Sequence, residues 1–314
     1  MHSLDYDVLK QLGLWCQEQR TPWLCTIVTT TGSSPRPVGS MLGFVDGISV
    51  GTLSGGCVEE DLLAKLQAGD ISGEKPQRLT YGVTAAENER LGLPCGGRME
   101  IVVEQLQAGK QDWLFEALAY LDQRQLCQRQ LDLDSGVSTL STQDSHHPLQ
   151  INEHQLQQSL GPRMRMLLVG AGQLAQVLSS LALAMDFDVL VTDPREDAIA
   201  QWQGPDVPLL HGLPDDIIAT QAFDRQSVII TLTHDPRIDD MALMEALETD
   251  AWYVGALGSV RTTEQRLQRL HELGVADSAI ARLHAPVGLD IGSKTPWEIA
   301  VAIMAEITQL QRRP

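Results

Sequence analysis

Two cysteines in the sequence stand beside pairs of glycines. Cys57 follows Gly55 and Gly56 in the stretch TLSGGCVEEDLL, and Cys95 precedes two further glycines in PCGGRMEI. Glycine permits backbone turns that a Cβ forbids, and apolar residues at helical spacing follow Cys57, so we predict this thiol at a helix N-terminus. The helix dipole favours a thiolate there, whereas the acids that follow Cys57 disfavour it. A thiolate suits soft metals and sulfur chemistry.

The two thiols leave other interpretations open. Cys57 could be a buried packing residue, because cysteine is among the most buried residue types. If Cys57 and Cys95 converge, they could hold a metal or a sulfur-bearing group, or form a reversible disulfide.

A glycine-rich turn in LLVGAGQLAQVLSS is a second candidate site. Gly170 and Gly172 follow an apolar strand and open an apolar helix, and Asp193 ends the next predicted strand. In a Rossmann unit such glycines allow close backbone approach, the helix N-terminus attracts a phosphate, and an acid about 20 residues further on meets a ribose hydroxyl. The glycines could also serve only the turn between strand and helix.

Polar loops follow other predicted strands. His234 and Asp235 come after the apolar run SVIITLT, and the segments GALGSVRT and APVGLDIGSKTP follow later strands. Ligands in open α/β sheets bind beyond the carboxyl ends of the strands, so His234 and Asp235 are candidate cofactor-binding residues; a solvated loop is the alternative. Arg36 lies between two prolines in GSSPRPVGS, where its forked guanidinium suits a phosphate or a carbonyl-rich ring.

Composition excludes several classes of protein. The chain has 314 residues, with 23 Lys plus Arg against 41 Asp plus Glu and a net charge of −18, which disfavours nucleic acid as a partner. No apolar run approaches the roughly 18 residues of a membrane span, and the N-terminus lacks the pattern of a signal peptide. Five dispersed cysteines without a CxxC pair indicate a reduced, cytoplasmic chain.

The pattern of elements predicts an α/β protein with a small mixed α/β N-terminal domain and a C-terminal Rossmann-like, doubly wound parallel sheet. We assign the N-terminal domain to residues 1–107, a variable connecting region to 108–163 and the Rossmann-like domain to 164–314. The Gln- and His-rich stretch SHHPLQINEHQLQQSLGP is interpreted as an interdomain connection. Its histidines lack partners at a spacing typical of metal sites. Six apolar strand candidates alternate with helical stretches after residue 164.

Together these segments resemble the xanthine dehydrogenase accessory factor family (XdhC/CoxI). The resemblance rests on an ordered set of motifs across most of the chain: TGSSPRPVGSML, LSGGCVEEDLL, PCGGRMEI, LLVGAGQLA, TLTHDPRIDDMAL, YVGALGSVRTTEQRLQRL and APVGLDIGSKTPWEIAVAIMAEI. It implies a protein that binds the molybdenum cofactor (molybdopterin), shields it, supports its sulfuration and delivers it to a molybdenum hydroxylase apoenzyme. It also implies a cysteine desulfurase as a partner, and a cofactor chaperone rather than a stand-alone catalyst.

The resemblance also assigns site residues. Cys57, presented by its two glycines, is the first candidate for contact with molybdenum or its sulfur, and Cys95 is the second. Arg36 and the turn Gly170–Gly172 become candidate pterin or phosphate contacts. Many relatives carry His where this chain has Gln173, so a titrating group is not expected at that cofactor-binding position.

Two further functions stay open on the residues alone. An NAD(P)-dependent oxidoreductase is favoured by the glycine-rich turn and Asp193, with His234 as the acid or base. A redox switch or metal-storage protein would use Cys57 and Cys95. A homodimer is the default expectation whichever function holds, because closed dimers are common among oligomeric proteins.

Overall fold

A computed structural model of the chain divides into two compact units, Met1–Pro162 and Arg163–Pro314. No helix among the described residues has both the length and the apolar character that crossing a membrane requires. The structure describes residues 3–32, 36–91, 97–107, 111–221 and 223–312.

The first unit is built on a five-stranded antiparallel sheet with the order β3-β2-β1-β5-β4. Its strands are β1 (Trp23–Thr31), β2 (Met41–Val45), β3 (Ile48–Gly51), β4 (Gln77–Tyr81) and β5 (Arg98–Gln105). Its helices are α1 (Ser3–Gln17), α2 (Cys57–Ala68), α3 (Ala85–Arg90) and α4 (Asp112–Asp122). The predicted hairpin is confirmed, since β2 and β3 pair across a turn at Asp46 and Gly47, both of which have positive φ.

Strand β1 shows why helices cover both faces of this sheet. Successive side chains of a strand point to opposite faces. Cys25 and Ile27 join a cluster with Val58 and Leu62 of α2, whereas Leu24 joins the cluster that contains α1 and α4. Helix α2 therefore packs on one face, and α1 and α4 pack on the other.

A second, four-stranded sheet completes the first unit, with the order β7-β6-β9-β8. Its strands are β6 (Leu126–Asp132), β7 (Ser138–Gln143), β8 (Gln150–Ile151) and β9 (Gln155–Leu160). The stretch interpreted as an interdomain connection supplies β8 and β9, so that interpretation is wrong. Leu156 and Leu160 alternate with polar residues along β9 and are buried in the cores, which is the physical reason that the segment is ordered. The three-part domain division stays a prediction.

The second unit is a six-stranded sheet in which every paired strand is parallel, with the order β12-β11-β10-β13-β14-β15. Its strands are β10 (Arg165–Val169), β11 (Asp188–Asp193), β12 (Leu209–His211), β13 (Ser227–Thr231), β14 (Tyr253–Ala256) and β15 (Leu283–His284). Its helices are α5 (Gln173–Ala184), α6 (Glu196–Ala200), α7 (Pro214–Thr220), α8 (Pro236–Glu248), α9 (Val260–Glu272), α10 (Asp277–Ile280) and α11 (Pro296–Arg312).

This strand order is the doubly wound Rossmann arrangement, with the order reversing at β10. Met166 and Leu168 of β10 face a cluster containing α5 and α11, whereas Leu167 and Val169 face α8 and α9. All six predicted strands are present, and the predicted fold class is confirmed.

A buried cation joins the two sheets of the first unit. Arg129 of β6 is 1% exposed, and its Nη2 donates to Glu104 Oε2 of β5 at 2.6 Å. The same nitrogen donates to Ser138 Oγ at 2.8 Å, and the guanidinium lies 3.7 Å from the centroid of the Trp113 ring. One side chain thus ties β6, β5, β7 and α4 together.

We expect Arg129→Ala to lower the free energy of unfolding by about 3–5 kcal/mol, because it leaves the Glu104 carboxylate buried without its counter-charge. Chemical denaturation monitored by tryptophan fluorescence measures this change. Lys10→Ala, which removes an exposed cation from α1, is the control and should change stability by less than about 0.5 kcal/mol. Equal midpoints for the two variants would contradict the role given to Arg129.

Candidate functional site

Two candidate segments emerge from one end of the five-stranded sheet. Strands β1, β3 and β4 end there and β2 and β5 begin there, because neighbouring strands run antiparallel. The loop with Arg36 and the loop before Cys57 therefore share this end. Cys95, the second candidate thiol, lies outside the described residues. Gly32 and Gly97 approach closely here: a Cβ on Gly32 would lie 3.4 Å from the Cα of Gly97.

Cys57 is the first residue of α2, as the sequence predicts, and its side chain is exposed. We call residues 52–56 the cysteine loop. Within it, Gly55 has a φ of +64°, and Gly56 is the N-cap residue and has no side chain to satisfy the free N–H groups of the helix. The packing alternative for Cys57 does not fit an exposed thiol. The uncapped N-terminus instead leaves N–H donors and the positive end of the dipole beside it.

The side-chain carboxylate of Glu59 holds the cysteine loop through hydrogen bonds. Oε2 of Glu59 accepts from Thr52 Oγ1 at 2.7 Å and from the backbone N–H groups of Leu53, Ser54 and Gly55 at 2.8, 3.2 and 3.2 Å. Burial raises the pKa of Glu59, but the four hydrogen bonds outweigh it and hold the pKa below its ordinary value. Sequence reasoning missed this residue, although an acid in the first turn of a helix is a known capping signal.

An acidic residue with two cationic partners lies one helical turn beyond Cys57. Asp61 is four positions later on α2, so it shares the helix face with Cys57. Its carboxylate forms an ion pair with Lys65, whose Nζ lies 2.7 Å from Oδ2, and accepts from Arg90 Nη1 at 3.0 Å. Lys65 also lies 4.9 Å from the centroid of the Tyr81 ring. Glu60, three positions after Cys57, is exposed on the same face, so two cations and two carboxylates balance there.

Arg36 is half-buried and turned toward α1. Its Nη2 lies 3.9 Å from Oδ1 of Asp5, an oxygen that also accepts from the Met41 N–H at 3.0 Å. The guanidinium therefore sits beside the start of β2 with part of its charge directed to Asp5.

The glycine turn, residues 170–172, connects β10 to α5 in the second unit. Gly170 has a φ of +108°, and a Cβ there would lie 2.9 Å from Thr233 Cγ2. Gly172 is the N-cap of α5 and lacks a side-chain cap, and a Cβ added to it would meet no described heavy atom within 4 Å. Gln173 follows as the first, exposed residue of α5. The turn is therefore tight on its inner side and open above the helix N-terminus, where an anion is favoured.

Asp193 is fully buried, and its carboxylate is already engaged. Oδ2 accepts from the Ala171 N–H at 2.8 Å and from Arg195 Nη2 at 2.7 Å, and Oδ1 accepts from Arg195 Nε at 2.9 Å. Burial raises the pKa of Asp193, but the bonds from Arg195 and Ala171 prevail and keep the pKa low. A ribose hydroxyl could reach this carboxylate only by displacing Arg195, whose side chain is 59% exposed.

The loop after β13 lies against the glycine turn, through the contact of Thr233 with Gly170. In it His234 is exposed, and Asp235 caps α8 by accepting from the Arg237 N–H at 3.0 Å. The Arg237 side chain, with Nη2 at 2.7 Å from Oδ2, lowers the pKa of Asp235 to about 2. The charges of Arg195 and Asp235 also interact, so the structure brings the glycine turn, Asp193, His234 and Asp235 to one sheet edge.

A buried ion pair fixes this edge. Asp239 Oδ1 accepts from Thr233 Oγ1 at 2.7 Å, and its Oδ2 accepts from Arg266 Nη2 at 2.9 Å. Arg266 Nη1 donates to the Leu257 carbonyl at 3.1 Å. The pair joins the loop after β13 to the loop after β14. Among the described residues no group of three or more His, Cys, Asp or Glu side chains is arranged to hold a metal ion.

These observations define a two-unit α/β protein with an exposed thiol at a helix N-terminus in the first unit and a Rossmann sheet in the second. Two family models match the chain: the XdhC Rossmann domain over residues 166–307, and the XdhC and CoxI family over residues 15–82. The chain belongs to the XdhC and CoxI family, and the resemblance inferred from its motifs is confirmed.

Several known proteins are similar over nearly the whole chain. YqeB of Escherichia coli is 31% identical over 94% of this chain, which spans only 44% of the length of YqeB. A protein of Bacillus subtilis, named as a probable xanthine dehydrogenase subunit, is 26% identical over 95% of both chains. PaoD of Escherichia coli, named a molybdenum cofactor insertion chaperone, is 28% identical over 92% of this chain and 83% of its own.

A solved structure shares the architecture. The crystal structure of a Bacillus halodurans protein, described as a xanthine dehydrogenase, superimposes with a TM-score of 0.75 at 25% identity. The similarity covers 97% of this chain and 95% of that one.

The two glycines of the turn should respond differently to substitution. We expect Gly170→Ala to destabilise the protein by about 1–3 kcal/mol, because alanine is strained at positive φ and its Cβ would clash with Thr233. Gly172→Ala has an ordinary backbone conformation and open space around the Cβ, so its stability should stay within about 1 kcal/mol of wild type. Thermal unfolding of both variants measures the difference, and an equal loss in both would contradict this account.

Proposed function

We propose that this protein binds the molybdenum cofactor as cargo, protects it, supports its sulfuration and delivers it to a xanthine dehydrogenase-type molybdenum hydroxylase. The observation that carries the proposal is the exposed Cys57 thiol on an uncapped helix N-terminus. The names of the relatives from Bacillus subtilis and of PaoD support an accessory role at the level of the family.

The chemistry of the cysteine loop suits this cargo. A thiolate is a soft ligand for a metal or its sulfur, and Cys57 is the exposed first residue of α2. Its exposure suits a carrier, because bound cargo must pass to another protein. We assign Cys95 the role of second thiol and Arg36 that of a pterin or phosphate contact.

The partners follow from the cargo. A molybdenum hydroxylase apoenzyme receives the cofactor, and a cysteine desulfurase supplies the sulfur. The role is that of a chaperone in the cytoplasm, where free thiols persist. The homodimer also stays a prediction, which light scattering of the purified protein tests.

The glycine turn is assigned to a phosphate-bearing ligand. Its support is the open space over Gly172 together with the uncapped N-terminus of α5. A pterin phosphate and a dinucleotide share this chemistry. Measuring the binding of each to the Gly172→Ala variant distinguishes them, because only the ligand that occupies the glycine turn should bind more weakly than it does to wild type.

Anaerobic equilibrium binding of purified molybdenum cofactor to the full-length protein tests the main proposal. We expect Cys57→Ala to weaken binding by about tenfold or more, because the metal end of the cargo loses its soft ligand. Cys16→Ala, which removes a partly buried thiol from α1, is the matched control and should bind as wild type does. Unchanged affinity in Cys57→Ala would remove the thiol from the site, and no binding by the wild type would refute the cargo.

A second candidate, an NAD(P)-binding oxidoreductase, is favoured by the glycine turn and by Arg195. Arg195 donates hydrogen bonds to the Asp193 carboxylate and its side chain is exposed. The edge of the sheet that would meet the ribose therefore presents a guanidinium. An arginine at that place accommodates a ribose phosphate, which points to NADPH rather than NADH.

Fluorescence titration with NADH and NADPH tests the second candidate. If the site takes a dinucleotide, NADPH should bind about tenfold more tightly than NADH, and Arg195→Ala should abolish the difference. Arg225→Ala removes an exposed arginine just before β13, at the opposite edge of the sheet, and serves as the control. Saturation by neither nucleotide would exclude this function.

A further inference from the structure

We propose that Glu59 is a positioning residue that holds the cysteine loop so that Cys57 stays at the N-terminus of α2. The inference rests on the proposed function of Cys57, and it adds a residue that touches neither the cargo nor the thiol. Glu59 acts through the backbone of the loop.

The contacts of Glu59 are concentrated on one atom. All four donors, the Thr52 hydroxyl and three consecutive backbone N–H groups that end at Gly55, reach the same oxygen within 2.7–3.2 Å. Bonds to a carboxylate are roughly twice as strong as bonds between neutral groups. A single side chain therefore fixes every residue of the loop except the N-cap glycine.

This arrangement differs from an ordinary helix cap. In a capping box the third helical residue reaches back to the N–H of the N-cap. The N-cap here is Gly56, and its N–H lies 3.4 Å from Ser54 Oγ instead. Among the described residues the carboxylate of Glu59 bonds only to ones that precede the N-cap, so its side-chain contacts order the loop rather than complete the helix.

The loop needs such an anchor because its own residues supply little order. Gly55 and Gly56 have more backbone freedom than other residues, and a Cβ on Gly56 would meet no described atom within 4 Å. Leu53 is fully buried, so the loop is fixed at its base, whereas Cys57 at its other end is exposed. The carboxylate of Glu59 accepts from the N–H groups of Leu53, Ser54 and Gly55, which connect the buried base of the loop to Cys57.

Two variants separate the anchor from its charge. Glu59→Gln keeps an acceptor oxygen and removes the charge, whereas Glu59→Ala removes both, so a difference between them reports the hydrogen bonds. Glu60→Ala, one position further on and exposed, is the matched control. Thermal unfolding of each variant shows whether the fold as a whole is kept.

Hydrogen exchange of the loop is the first readout. In Glu59→Ala the amides of residues 53–55 should exchange about tenfold faster or more, because their acceptor is lost. Glu59→Gln and Glu60→Ala should stay within about threefold of wild type. Equal exchange in wild type and Glu59→Ala would overturn the proposal.

The second readout is the rate at which iodoacetamide alkylates Cys57, followed by peptide mass spectrometry. Because Cys57 is already exposed, a looser loop cannot act by uncovering it. The rate in Glu59→Ala should differ from that in Glu59→Gln by about threefold or more, since a loosened loop changes the surroundings of the thiol while the charge is the same in both variants. Equal rates in the two variants would refute positioning of the thiol.

Binding of the molybdenum cofactor then links the anchor to the proposed function. We expect Glu59→Ala to lose affinity and Glu59→Gln to retain most of it. If both loop readouts change as expected but wild type binds no cofactor, Glu59 still positions Cys57, and only the proposal that the molybdenum cofactor is the ligand is refuted. If wild type binds and Glu59→Ala binds equally well, the cargo stands and the positioning role fails.

Discussion

Backbone N–H groups in a loop have no strand or helix partner, so each must find another acceptor or remain in water. In this protein, buried or half-buried carboxylates are the acceptors at both candidate sites. Glu59 accepts from the cysteine loop, Asp193 from Ala171 of the glycine turn, and Asp239 from Thr233 in the neighbouring loop. The loops that carry the chemistry are thus held from beneath by side chains on regular elements or at their ends, and their outer surfaces stay open to a ligand.

A fourth carboxylate repeats the pattern near the edge of the Rossmann sheet. Glu306 of α11 accepts from the Gly288 N–H at 2.6 Å and from the Tyr253 hydroxyl at 2.8 Å, and His284 Nδ1 lies 3.1 Å from its other oxygen. The His284 ring also stacks on the Tyr253 ring, with centroids 4.3 Å apart. Part of the acidic excess of the chain is therefore structural, since these carboxylates order loops that sheets alone would leave unpaired.

The regular elements could be predicted because their patterns are local. Apolar runs gave the six parallel strands, and the Asp46–Gly47 pair gave a hairpin. Strand β9 was missed because Gln158 faces the core, where its Nε2 donates to the Gly39 carbonyl, and a buried glutamine hides the alternation. A tertiary contact of this kind cannot be read from spacing.

Some features of the candidate sites could likewise be predicted from local patterns, and others could not. The position of Cys57 follows from the glycines and the helical pattern beside it, so the sequence was sufficient. Asp193 was expected to face a ribose. In the structure its carboxylate accepts hydrogen bonds from Arg195, two positions later. The anchoring role of Glu59 depends on which way a five-residue loop folds back, and no periodic pattern encodes that.

Three of the four loop-holding carboxylates have lowered pKa values, whereas burial raises the pKa of the fourth, Asp239. Burial raises the pKa of Glu59, Asp193 and Glu306, but their hydrogen-bond donors prevail and keep each pKa below its ordinary value. A carboxylate of this kind stabilises the folded chain above the ordinary carboxyl pKa of about 4, and the stabilisation is lost as the pH falls through the depressed value. The hydrophobic clusters carry no such dependence. In acid the protein should therefore lose the order of its binding loops before it loses its cores, and remain folded while unable to hold a ligand.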